Sequence, residues 1–106
     1  RFAAIVVTNY LHRPHFKNLL ANLKSHGAVL VYETFMDGNA QFGSPRSPDF
    51  LLQPNELLSC MSSLNILRFE QGFRSIPGPA MIQRAVGISG LWSEIQSETI
   101  TLTQRD

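Results

Sequence analysis

Thr8, Asn9, Tyr10, His12 and Arg13 crowd together directly after the apolar run 2–7, which reads Phe-Ala-Ala-Ile-Val-Val. A strand written without polar alternation expects cover on both faces, as in the middle of a parallel sheet. In open α/β sheets ligands bind outside the carboxyl ends of the strands, so this polar cluster marks the place for chemistry. His12 has the residue type of a general base, since imidazole titrates near neutrality. Its bland alternative is a structural role at the start of a helix. His12 and His15 stand i, i+3 and would share one helical face, but no third ligand lies near, which argues against a metal site. Glu33 and Thr34 close a second apolar run and reach the same rim as Asn9, which makes them candidates to meet one ligand there. Arg46 has the fork of donors that holds an anionic substrate group. Its alternative is to pin its own loop to Asp49 or Glu33. Cys60 falls on the apolar side of a short helix and reads as packing.

These residues need elements to position them. Phe16, Leu19, Leu20 and Leu23 follow the i, i+3, i+4, i+7 spacing of an amphipathic helix, with Pro14 in its first turn and Gly27 just past its last. Residues 28–32 form a second continuous apolar strand, closed by Glu33 and Thr34. Strand, helix and strand make a right-handed βαβ unit. Residues 35–53 carry Gly38, Gly43, Pro45 and Pro48 without periodicity, as a functional loop or lid does. A short helix then opens at Pro54, with Glu56 in its first turn and Leu57, Leu58 and Met61 facing inward. Residues 64–71 alternate, with Leu67 and Phe69 on one face and Arg68 and Glu70 on the other. Residues 72–79 read as a turn and 80–88 as a last strand, antiparallel to the third because too few residues intervene for a helical crossover. The tail 89–106 holds Trp92 and a β-prone patch at 99–103, and has no assigned place.

A chain of 106 residues makes one domain, and its 43% apolar content is enough for one core. The net charge of +1 comes without any basic run, which argues against a nucleic-acid surface. No apolar segment approaches the ~18 residues of a membrane span. The single cysteine leaves no internal disulfide and suits a reducing, cytoplasmic compartment. The start at Arg1 without an initiator Met suggests a chain taken from something longer.

Several stretches resemble the carboxyl-terminal half of class I S-adenosylmethionine-dependent methyltransferases. Val6-Val7-Thr8-Asn9-Tyr10-Leu11-His12-Arg13 is similar to the segment after that family's fourth strand. Leu30-Val31-Tyr32-Glu33-Thr34-Phe35 is similar to the end of its fifth. The stretches 43–52 and 54–58 look like the lid and helix of bacterial members akin to the tellurite-resistance methyltransferases. The resemblance implies an α/β fold with a partial Rossmann-like sheet: two parallel strands joined by a helix, plus an antiparallel pair, in the order first, second, last, third. It spans residues 2–88, leaving 89–106 as tail. It also implies that Asn9 and Tyr10 line the methyl-transfer point and that Thr8 and Asn9 touch the cofactor. Methyl transfer is an in-line displacement, so it needs positioning and a dry pocket more than acid–base help.

The family's glycine-rich turn and its ribose-binding acidic residue are missing from this sequence. Gly38 and Gly43 have the outer spacing of a phosphate loop, but Ser44 and Pro45 stand where Lys and Ser/Thr are required. The expectation is therefore a truncated methyltransferase for a small molecule, inactive alone and binding S-adenosylmethionine weakly or not at all. The competing expectation is a non-catalytic self-association module. Without its family neighbour, the strand 2–7 would be an unprotected edge and a template for a homodimer.

Overall fold

The computed structural model describes residues 3–26 and 28–89. Gly27, Trp92 and the patch 99–103 lie outside the described residues. The elements are strand β1 (Ala3–Thr8), helix α1 (Arg13–His26), strand β2 (Ala28–Phe35), helix α2 (Glu56–Cys60), and strands β3 (Asn65–Arg74) and β4 (Ala80–Ile88). The sheet has four strands in the order β1-β2-β4-β3, the order expected from the sequence. β1 and β2 are parallel, and β4 runs antiparallel to both β2 and β3. The result is a mixed α/β fold. No helix among the described residues is long and apolar enough to cross a membrane.

Period-two alternation divides each strand between two faces. One face carries Ile5 and Val7, then Leu30, Tyr32 and Thr34, then Gln83 and Ala85. Phe16 and Leu23 of α1, Leu57 of α2 and the following Met61 and Leu64 join Leu30, Tyr32 and Ala85 in one buried cluster. Leu19 and Leu20 are only half-buried beside it. At Gly87 a side chain would bring its Cβ within 3.0 Å of Met61 Cε and 3.2 Å of Leu64 Cβ, so the turn after α2 rests almost on the backbone of β4.

Three expectations need correction. The apolar run at the start of the chain was expected to be covered on both faces, yet Val6 is 65% exposed. Among the described residues β1 has a strand neighbour on one side only, and α1 and α2 both contribute to the cluster on a single face. The second strand does not close at Glu33 but continues to Phe35, because β4 supplies partners through the Phe35–Ile82 pair. Leu58 points outward at 37% exposure. Leu57 and Met61, four positions apart, share the buried side, and Leu58 stands about 100° round the helix from Leu57.

The third strand is longer than the alternation suggested and holds a β-bulge between Ile66 and Arg68. Leu67 is the extra residue, and beyond it Arg68 and Glu70 share the open face with Val86 and Arg84. Ser89, assigned to the tail, belongs to the fold. Its buried hydroxyl accepts from Ala28 N at 2.7 Å and donates to the Leu23 carbonyl at 2.8 Å, tying the end of α1 to the start of β2.

Candidate functional site

The parallel strands β1 and β2 end side by side, with Asn9 N donating to the Glu33 carbonyl at 2.9 Å. Asn9 then turns the chain out of the sheet at φ 57°, a left-handed conformation that asparagine tolerates better than most residues. Directly beyond lies a cavity of about 400 Å³. Asn9, Tyr10 and Leu11 line it from the end of β1, Thr34 and Phe35 from β2, and Ser44, Pro45 and Phe50 from the loop between β2 and α2.

That loop is pinned at its feet and along its length. Met36 and Leu52 form a parallel bridge, Leu52 N donates to the Phe35 carbonyl at 3.0 Å, and Asp37 N donates to the Leu52 carbonyl at 2.7 Å. Asn39 is 2% exposed; its Nδ2 donates to the Pro45 carbonyl at 3.1 Å and its Oδ1 accepts from Met81 N at 3.2 Å. Buried Gln83 holds the far end, accepting from Leu57 N at 2.8 Å and donating to the Gln53 carbonyl at 2.6 Å. Arg13, the first residue of α1, reaches across to the same loop. Its guanidinium donates to both carboxylate oxygens of Glu56, at 2.6 and 3.0 Å, and to the carbonyls of Asp49 and Leu51 at 3.1 and 2.8 Å. The bidentate pair holds the Glu56 carboxyl below its ordinary range and raises the Arg13 guanidinium.

Of the residues singled out from the sequence, Asn9, Tyr10 and Thr34 meet at this cavity. Thr8 does not: it pairs with Glu33 across the open face, in register with exposed Val6 two residues earlier. Glu33 and Thr34 cannot both face one ligand from a strand, since adjacent side chains leave opposite faces. The Glu33 carboxylate is bound instead by Arg84 Nε at 2.6 Å and an Arg74 terminal nitrogen at 2.9 Å. Arg46 is exposed at the tip of the loop and is not among the cavity's lining residues. The task of pinning the loop falls to Arg13, whose place opposite the lid could not be read from spacing.

The rings of His12 and His15 lie tilted against each other with centroids 4.0 Å apart and line a second cavity of about 200 Å³ with Val7, Tyr10, Phe16, Leu19 and Tyr32. Tyr10 walls both cavities, with its hydroxyl 3.3 Å from His15 Nδ1. Its carbonyl accepts from the Tyr32 hydroxyl at 2.6 Å. Burial pushes the Tyr32 phenol up to about 12, with smaller contributions from Tyr10 and Cys60. Burial also raises the Cys60 thiol, which is half-buried against the core. Asn39 and Gln83 were missed from the sequence; a buried amide in a loop and another in a strand carry no periodic signal.

No family model, no curated protein and no solved structure matches the chain.

Proposed function

We propose that this chain belongs to the S-adenosylmethionine-dependent methyltransferase lineage and supplies the side of the site that receives a small-molecule acceptor. The observation that carries the reading is the cavity outside the carboxyl ends of two parallel strands, entered from β1 through Asn9 and roofed by a pinned loop. The strand order β1-β2-β4-β3 is the order implied by the resemblance and supports the same reading.

The residues present do not fit the cofactor itself. Among the described residues no Asp or Glu lines the cavity to receive ribose hydroxyls, and Glu33, at the adjoining strand end, is turned to the other face and held by two arginines. Weak affinity for S-adenosylmethionine follows, and no step of transfer is derived from this chain alone. The expected setting is the cytoplasm.

NMR titration of the full chain with S-adenosylhomocysteine, the product of methyl transfer, tests this. Millimolar binding, about −4 kcal/mol, is expected, with perturbations at Asn9, Leu11 and Thr34. Asn9→Ala should remove them and Cys60→Ala should leave them. Micromolar affinity would overturn the claim that the cofactor-holding groups are missing, and no perturbation at millimolar ligand would sink the methyltransferase reading.

A second reading is self-association through β1. Among the described residues its outer edge has no partner strand, and Val6 stands 65% exposed without a charge or proline to blunt the edge. Light scattering at micromolar concentration should give twice the mass of the chain. A monomer would eliminate this reading.

A further inference from the structure

The geometry points to a neutral aromatic molecule with one hydrogen-bonding substituent as the ligand of the 400 Å³ cavity, an inference that rests on reading this cavity as the acceptor site. The lining combines the aromatic residues Tyr10 and Phe50 with Leu11 and Pro45, and its polar residues are Asn9, Thr34 and Ser44; Phe35 follows Thr34 in the strand, so its ring leaves by the other face. Among the described residues, no Lys, Arg, His, Asp or Glu lines the cavity. A charged ligand would give up hydration there and gain no opposite charge in return.

The ionised groups at the start of α1 and near the end of β2 are already engaged. Arg13 is bound by Glu56 and two loop carbonyls, and Glu33 by Arg74 and Arg84 on the other face of the sheet. Tyr10 and Phe50 are 50% and 54% exposed, a pair of large rings on which a flat ligand gains stacking and apolar burial. The hydroxyls of Thr34 and Ser44 and the amide of Asn9 can each donate and accept, which suits one hydroxyl or amide rather than a carboxylate or an ammonium. The volume lies at the lower end of ligand cavities and suits one or two rings.

The test is binding of four probes of similar size to the full chain without cofactor: benzyl alcohol, benzoate, benzylamine and cyclohexylmethanol. Benzyl alcohol should bind at millimolar concentration and perturb Tyr10 and Phe50, with benzoate and benzylamine at least tenfold weaker and cyclohexylmethanol severalfold weaker. Phe50→Ala should weaken benzyl alcohol at least fivefold. Should that variant fail to fold, Ser44→Asp at the exposed loop serves instead. It should weaken benzyl alcohol and strengthen benzylamine. Preferential binding of benzoate, abolished by Arg46→Ala, would overturn the inference in favour of an anion site. Equal binding of all four probes, or none, would also overturn it. The outcome is separable from that with S-adenosylhomocysteine. If benzyl alcohol binds and the nucleoside does not, the aromatic ligand stands and the methyltransferase reading falls; the reverse pattern rejects the ligand class alone.

Discussion

Tyr32 is the residue where burial, hydrogen bonding and site geometry meet. Its hydroxyl is the donor to the Tyr10 carbonyl, immediately after the left-handed turn at Asn9, and its ring lies 5.0 Å from that of Phe16. Because the folded phenol is pushed from 10.0 up to about 12, the native state holds its proton where the unfolded chain releases it. The resulting stability is fully present below about pH 10 and is lost as pH rises through the folded value. Tyr32→Phe should flatten this alkaline loss and cost about 1 kcal/mol at neutral pH, the net worth of one hydrogen bond. Absorbance titration checks it directly, since the phenolate step near 12 should vanish in the variant. Asn9 was legible as a residue of the strand-end cavity because polar residues follow an apolar strand at its carboxyl end. Glu33 was misplaced because the rim was read without the alternation that separates it from Thr34.

At the scale of elements, α1 distributes its load unevenly. Leu23 is 1% exposed within the core cluster, whereas Leu20 is half-buried on its margin. Leu23→Ala should therefore cost about 2–5 kcal/mol and Leu20→Ala about 1–2, because a side chain still partly in water leaves a smaller cavity. Urea denaturation of the two variants resolves the difference, and equal losses would mean that the helix is seated differently on the sheet. The helix itself was plain from its 3.6 periodicity, and the last strand from its length. The continuous apolar strand was misjudged for a physical reason. Such a run states that the chain tolerates cover on both sides, and only the tertiary arrangement decides whether cover is supplied. The lid was recognised as irregular, but what fixes it was hidden. Asn39, Gln83 and Arg13 act through contacts 6 to 43 positions away, which no local pattern encodes.

For the molecule as a whole, the two faces of the sheet have different characters. One holds the apolar cluster beneath α1 and α2; the other carries exposed Val6 and the alternating charges Glu33, Arg84, Glu70 and Arg68. Arg84 is raised above its ordinary value by its hydrogen bond to Glu33, and it bridges to Glu70 on β3 at 3.0 Å. The loop over the cavity joins these halves in a way that bears on chain continuity. Its feet are bound to each other through the Met36–Leu52 bridge, and its body to β4 through Asn39 and Gln83, while Arg46 stands exposed at its tip, just before Ser47 opens a short turn by accepting from Asp49 N. A break in the backbone at that tip would divide the sequence without dividing the fold. The two pieces would remain one body, the first supplying all of the cavity's lining but Phe50, and the segment that looks most like a movable flap would prove to be a seam.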